Sequence, residues 1–145
     1  HVYFSPNNLN FFNSGVCINP HYAKRHKGGE DAACVNDRLL AVADGVGGWA
    51  ESGVDPAIYS KKLCVLIDEY WEQGDDRYLA SPKELLIDAV KSNTEIGSCT
   101  ICLVSLDENS PVIFTANLGD SGYMILRNDK TIRDDDLNIF YESKE

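Results

Sequence analysis

The sequence predicts an α+β fold in which helices lie on an antiparallel sheet. Two short β-like runs come first, two amphipathic helical segments follow, and three further strand candidates complete the order. Short turns join the strands within each group, which favours antiparallel pairing. With 145 residues, of which 43% are hydrophobic, the chain is long enough to bury one core.

The first two strand candidates lie on either side of a tight turn. Residues 1–29 precede them and are predicted to be irregular. Ala32–Val35 and Arg38–Ala43 are apolar β-like runs around Asn36-Asp37, a typical turn pair. The glycine-rich segment Asp44-Gly-Val-Gly-Gly48 then predicts an abrupt turn at the end of the second run.

Capping signals mark the beginnings of two helices. Asp55 followed by Pro56 is typical of a helix start, and residues 74–76 mark the end of that helix. Ser81 and Glu84 predict a capping box at the start of the second helix. The residues expected on the buried faces are Tyr59, Leu63, Leu66, Ile67 and Tyr70 in the first helix, and Leu85, Leu86, Ala89 and Val90 in the second.

Three strand candidates follow the helices. They are Thr100–Leu106, Val112–Leu118 and Tyr123–Arg127, separated by turn-forming residues at Asp107–Pro111 and Gly119–Gly122. Both connections are short, so we expect each strand to pair with the next one along the chain in antiparallel fashion.

The composition restricts the class of partner and the compartment. A net charge of −10 argues against nucleic acid as a partner, and no apolar run is long enough to insert into a membrane. Five cysteines, an odd number, favour an intracellular location. Cys99 and Cys102 have the spacing of a redox pair, but on a strand they would point to opposite faces, so we interpret them as small buried residues.

The candidate chemistry lies where the first two strands meet. A buried apolar run ends at Asp44, glycines follow it, and Glu30-Asp31 open the neighbouring strand. Across a tight hairpin the two acidic positions approach each other. Carboxylates beside bare backbone carbonyls are the ligands of hard divalent cations such as magnesium, manganese or calcium. The alternative is that Asp44 only caps its own turn, and the spacing does not decide between the two.

Two further motifs are interpreted as coincidental. Gly45-Val-Gly47-Gly-Trp-Ala50 matches a dinucleotide fingerprint, but the next helix is predicted to begin only at Asp55, too late to meet a pyrophosphate. Asp134, Asp136 and Asn138 have the spacing of a calcium loop, with Ile139 where that loop needs glycine. A solvated acidic stretch is favoured, and an acidic calcium-binding module remains a third interpretation of the chain.

Five motifs, in order, resemble those of type 2C protein phosphatases, the metal-dependent Ser/Thr phosphatases. They are Lys27-Gly-Gly-Glu-Asp-Ala32, Ala43-Asp-Gly-Val-Gly-Gly-Trp49, Gly53-Val-Asp-Pro56, Gly97-Ser-Cys-Thr100 and Thr115-Ala-Asn-Leu-Gly-Asp-Ser-Gly122. The resemblance covers residues from about Gly15 to Arg133. The most similar branch has mitochondrial members, which implies a cytoplasmic or mitochondrial location.

The resemblance implies a four-layer α-β-β-α sandwich and hydrolysis of phosphoserine or phosphothreonine in a phosphoprotein substrate. Two ions, magnesium or manganese, would lie between the sheets. Glu30 would bind one ion, Asp44 would bridge both, and Gly45 would contribute its carbonyl oxygen. Asp31 would hold metal-bound waters, one of which would attack phosphorus in line. Asp120 would be a supporting acid.

The chain departs from the family pattern in two ways. His26 stands where the family has a phosphate-gripping arginine. Its neighbours Arg25 and Lys27 could both neutralise the phosphate, and Lys27 is the predicted residue. The family domain is also longer, with further metal-binding aspartates in its second half. We therefore interpret residues 1–145 as the N-terminal part of one phosphatase domain, with 1–14 as a lead-in and 134–145 as a truncated acidic end. Alone, such a chain is expected to be almost inactive.

The departures leave a second function open. A degenerate or truncated phosphatase-like module would bind a phosphoprotein partner without catalysis. The oligomeric state is not predicted.

Overall fold

The computed structural model describes residues 2–4, 10–128 and 137–142 of the chain. Within these residues the strands are β1 (Val2–Phe4), β2 (Asn10–Phe12), β3 (Asp31–Val35), β4 (Leu39–Gly45), β5 (Cys99–Leu106), β6 (Ile113–Leu118), β7 (Met124–Asn128) and β8 (Leu137–Glu142). The helices are α1 (Pro56–Glu72), α2 (Asp76–Ala80) and α3 (Pro82–Ser92), and two 3-10 helices cover Tyr22–Lys27 and Gly47–Ser52. None of these helices is long and apolar enough to span a bilayer.

The main sheet is antiparallel, with strand order β3-β4-β5-β6, and helices cover one of its faces. This confirms the predicted α+β class. Along β4 the side chains alternate, so that Leu39, Ala41 and Ala43 are buried while Val42 and Asp44 lie on the other, exposed face. The main sheet and the helices on it thus form two layers, which are part of the predicted four-layer sandwich.

The core lies between the main sheet and helices α1 and α3. Leu63 and Ile67 of α1 are fully buried, and burial of each such side chain contributes about 1.5–3 kcal/mol. The other buried members include Ala32, Cys34, Leu39, Ala41, Ala43, Leu66, Trp71, Leu85, Ala89, Ile101 and Leu103. Tyr59 and Tyr70 pack against this core as predicted, whereas Val90 is 37% exposed and does not belong to it.

The helix starts are only partly as predicted. The Asp55 carboxylate accepts a hydrogen bond from the Ala57 N–H (3.1 Å), which confirms the cap of α1. The prediction of a capping box at Ser81 is wrong, because the Ser81 side chain makes no capping hydrogen bond. Its backbone carbonyl accepts from the Glu84 N–H instead (3.1 Å). Asp75 caps the unpredicted helix α2, since its carboxylate accepts from the Arg77 N–H (2.8 Å).

Of the two pairings predicted after the helices, the antiparallel pairing of β5 with β6 is confirmed and that of β6 with β7 is wrong. β7 pairs with β8 in a separate two-stranded sheet, and β6 is an edge strand of the main sheet. The segment 119–122 therefore connects two sheets and does not close a hairpin. β8 lies in the predicted acidic end, whose Asp134 and Asp136 fall outside the described residues.

The first 29 residues are more regular than predicted. β1 and β2 form a hairpin, and the Asn10 side chain of β2 is buried. Its amide donates to the carbonyls of Asp107 (3.2 Å) and Ser110 (2.8 Å), about a hundred residues away. Such long-range hydrogen bonds leave no periodic signal in the local sequence, which explains the missed strand.

All five cysteines are free, and only Cys17 is exposed. Cys99 and Cys102 lie on β5, which confirms the predicted strand; Cys102 is buried, and Cys99 is half-buried. Burial raises the pKa of Cys34 and of Cys64 to about 12. Burial, with the nearby Asp44 charge, raises that of Cys99 to about 11. These thiols are therefore protonated at neutral pH.

Candidate active site

The hairpin of β3 and β4 places two aspartates side by side. Its register makes Asp31 the direct partner of Asp44, and the two carboxyl groups share a hydrogen bond. The Asn36 N–H donates to the Leu39 carbonyl (2.8 Å), so a two-residue loop closes the hairpin and fixes this register. Asp31 and Asp44 line a cavity of about 520 Å³ on the sheet face opposite the helices.

Glu30 joins these aspartates from the residue before β3. Its carbonyl accepts a hydrogen bond from the Gly45 N–H (3.1 Å), which extends the strand pairing by one step. Its side chain is only 15% exposed and forms an ion pair with Lys24. The prediction that Glu30 and Asp31 lie beside the end of β4 is thus confirmed.

Lys24 lies on the 3-10 helix Tyr22–Lys27, which ends where Gly28 adopts a left-handed conformation (φ 82°). Its hydrogen bond to Glu30 raises the pKa of the ammonium group, against an opposite effect of desolvation; the charges of Glu30, Asp44 and Asp31 raise this pKa further. Lys24 is therefore the positive charge of this cluster that sequence reasoning missed.

The predicted Lys27 lies on the same 3-10 helix. It lines a cavity of about 350 Å³, together with Glu30, Asp55 and other residues at the start of α1. The basic run from Lys24 to Lys27 was visible in the sequence, but only the phase of the 3-10 helix determines which member meets Glu30.

Asp120 approaches the cluster through the connection that follows β6. Thr100 is the β5 partner of Asp44, and its hydroxyl is hydrogen bonded to that of Ser121. Gly119 packs against Thr100, since a Cβ at Gly119 would lie 2.8 Å from the threonine methyl. The charge of Asp120 is close enough to act on Asp44.

The cluster carries an excess of negative charge. Partial burial raises the pKa of Asp44, and the charges of Asp31, Asp120 and Glu30 raise it further, together with the hydrogen bond to Asp31. Carboxylates held together in this way fit a hard divalent cation, which removes their mutual repulsion. In the described residues, however, no three side-chain ligand groups converge as a ready metal site, and Glu30 is held by Lys24.

Gly45 allows the three parts of the cluster to meet. A Cβ on this buried residue would lie 2.6 Å from the Pro56 carbonyl oxygen and 2.9 Å from that of Glu30. The end of β4, the residue before β3 and the first turn of α1 are thus in direct contact. The 3-10 helix Gly47–Ser52 separates Gly45 from α1, so no α-helix begins at this glycine-rich turn, in agreement with the rejected dinucleotide interpretation.

No protein-family profile matches the chain. It is 38% identical to the protein phosphatase PTC7 homolog fig of Drosophila mojavensis, over 82% of this chain and 41% of that protein. It is 36% identical to the probable protein phosphatase 2C 55 of Arabidopsis thaliana, over 89% of this chain and 28% of that protein. The probable protein phosphatase 2C 26 of the same plant is 39% identical, over 81% and 40%.

A solved structure has the same fold. The photosystem II phosphatase PBCP superposes with a TM-score of 0.74 and 31% sequence identity, over 87% of this chain and 47% of that one. The chain therefore spans less than half the length of the curated relatives and of the solved neighbour described above.

Proposed function

Because this chain belongs to the type 2C protein phosphatase family, we propose that the protein hydrolyses phosphoserine and phosphothreonine in proteins with two magnesium or manganese ions. The observation that carries this proposal is the pairing of Asp31 with Asp44 beside Glu30, where partial burial and repulsion among the carboxylates raise the pKa of Asp44. The relatives are named as phosphatases, which favours an enzyme over a module that only binds phosphoproteins.

Each residue of the cluster has a separate proposed role. Asp44, Glu30 and the carbonyl of Gly45 are the proposed ligands, since they are hard oxygen donors at one point of the fold. Asp31 is proposed to orient the attacking water through its carboxylate. When bound, the ions supply an acidified water and neutralise charge on the phosphate. The negative charge of Asp120 acts on Asp44 and raises its pKa.

Hydrolysis by the full-length protein is expected to depend strictly on a divalent cation. A phosphothreonine peptide and an aryl phosphate should be turned over with Mn²⁺ or Mg²⁺, and activity should vanish in EDTA and return when the cation is restored in excess. Release of inorganic phosphate measures this directly. Turnover that persists after exhaustive chelation would contradict the proposal, as would a protein that releases no phosphate with either cation.

Lys24 is proposed as a phosphate-binding cation, in preference to the predicted Lys27. Its ammonium group already lies among carboxylates proposed to bind cations, and it is 46% exposed, so it is accessible to a substrate. A cation on Glu30 and the ammonium of Lys24 compete for the same carboxylate. Loss of the lysine charge should therefore strengthen cation binding while it weakens phosphate binding.

Replacement of Lys24 by Gln is expected to give opposite changes in two constants. The kcat/KM for a phosphopeptide should fall by about 10–100-fold, the value of a charge-assisted hydrogen bond of roughly 1.5–3 kcal/mol, while the Kd for Mn²⁺ should decrease. Steady-state kinetics and calorimetry measure the two. Lys27→Gln is the matched control and should change kcat/KM only a few-fold; a larger loss in Lys27→Gln would restore the original prediction.

A cytoplasmic or mitochondrial location stays a prediction from the odd number of cysteines and from the family resemblance.

A further inference from the structure

A buried hydroxyl group connects helix α1 to Glu30. The Ser60 side chain is completely buried, with 0% exposure, on the apolar face of α1. Its hydroxyl donates to the carbonyl of Glu30 (2.7 Å), and the carbonyl of Ala57 lies farther away at 3.2 Å. One hydroxyl has one proton, so the shorter bond to Glu30 is the main one.

The Glu30 carbonyl is held from two directions. The Gly45 N–H approaches it from β4, and the Ser60 hydroxyl approaches it from α1. The carbonyl accepts both bonds, so the backbone of Glu30 cannot rotate without breaking one of them. The preceding residues, Gly28 and Gly29, both have positive φ (82° and 79°) and are the conformationally freest residue type. The position of the Glu30 backbone, from which the carboxylate extends towards Lys24, therefore depends on these two bonds.

We infer that Ser60 is a positioning residue for the cation site, which holds Glu30 where its carboxylate can act as a ligand. This inference rests on the proposed function, because it needs Glu30 to bind a cation. Ser60 lies inside the core and does not reach the cavity, so it touches neither substrate nor ions. Loss of partners that orient a ligand typically lowers metal affinity by about 10–100-fold.

The chain contains a matched control. Ser105 on β5 is also completely buried, and within the described residues its hydroxyl has no hydrogen-bond partner. It pairs across the sheet with Leu39 and Phe114, at the opposite end of β4 from Gly45. Ser105→Ala therefore removes an equally buried hydroxyl without touching Glu30.

Titration with Mn²⁺ alone tests the inference. The Kd of the purified full-length protein is measured by calorimetry for wild type, Ser60→Ala and Ser105→Ala, at a temperature where circular dichroism shows each to be folded. We expect the Kd to rise by about 10-fold or more in Ser60→Ala and to stay within about 2-fold in Ser105→Ala. A merely structural role of Ser60 would lower the melting temperature of Ser60→Ala and leave its Kd unchanged.

The outcomes separate the inference from the proposed function. A wild-type protein that binds Mn²⁺ and a Ser60→Ala protein that binds it equally well would overturn the inference alone. A wild-type protein that neither binds Mn²⁺ nor releases phosphate would overturn the proposed function and the inference with it. If Ser60→Ala does not fold, Ser60→Cys is used, whose thiol fits the space but donates weakly; its Kd should rise, and an unchanged Kd would count against Ser60.

Discussion

Replacement of Asp44 by Asn is expected to stabilise the metal-free chain and to abolish its stabilisation by Mn²⁺. The pKa of Asp44 is raised by partial burial and by the charges of Asp31, Asp120 and Glu30, so its ionised form is unfavourable in the folded state. Asparagine keeps the shape and removes the charge. In EDTA at pH 7 the variant should therefore melt at a higher temperature than wild type.

Cation binding should change in the opposite direction. At a free Mn²⁺ concentration of 100 times Kd, wild type gains about 2.7 kcal/mol, or roughly 5–10 °C in melting temperature. The Asp44→Asn chain should gain almost nothing, with affinity reduced by more than about 100-fold, because even residues that only orient a ligand are worth about 10–100-fold. Differential scanning calorimetry with EDTA and with Mn²⁺ gives both numbers.

Asp37→Asn is the matched control for charge. Asp37 is an exposed residue in the loop of the same hairpin, at the end away from Asp44. It should change neither the EDTA melting temperature nor the response to Mn²⁺.

Because the folded-state pKa of Asp44 lies above its ordinary value, the repulsion is present at pH 7 and is lost as the pH falls through that pKa towards 4. The EDTA stabilisation by Asp44→Asn should shrink in parallel; a constant difference would contradict its electrostatic origin.

Replacement of Gly45 by Ala is expected to cause the largest loss of stability among single methyl additions at the site. The added Cβ would lie 2.6 Å from the Pro56 carbonyl oxygen and 2.9 Å from that of Glu30. Both neighbours are backbone atoms, so α1 or the residue before β3 must move. Overpacking of this kind costs about 1–3 kcal/mol and occasionally more. Because Glu30 is displaced, Mn²⁺ affinity should fall as well.

Urea unfolding of Gly45→Ala and Gly48→Ala measures this effect. Gly48 is exposed, and a Cβ there would meet no atom within 4 Å, so its variant should unfold within about 0.5 kcal/mol of wild type. Equal midpoints for the two variants would show that the contact of α1 with the end of β4 is not tight.

The acid cluster could be predicted because local signals determine it. A run beginning at Asp31, a turn pair and an apolar run ending at Asp44 specify a hairpin, and antiparallel pairing about that turn puts both acids at one end. The structure confirms this register residue by residue. Which acid binds which ion stays a proposal.

The choice between Lys24 and Lys27 could not be made from the sequence. Both lie in one basic run, and only the tight turn of a 3-10 helix determines that Lys24 meets Glu30. The prediction that residues 119–122 close a hairpin is wrong for a related reason. Its glycines are typical of a hairpin, but the contact of Gly119 with Thr100 and the pairing of β7 with β8 depend on residues far away in the sequence.

One missed residue left a usable signal. Ser60 falls on the same helical face as Leu63, Cys64 and Ile67, which makes it a polar residue on an otherwise apolar stripe. Buried hydroxyl groups are hydrogen bonded as a rule, so the pattern alone predicts a partner for Ser60. It does not identify that partner as Glu30.

The protonation of the buried thiols determines how readily they react with oxidants. Peroxide reacts with the thiolate, and a thiol with a pKa of about 12, as at Cys34 and Cys64, is ionised in only about one molecule in 10⁵ at pH 7. The buried thiols of Cys34 and Cys64 are therefore poor targets for peroxide under oxidative stress. The proposed chemistry uses carboxylates, a carbonyl and an ammonium group, none of which peroxide attacks.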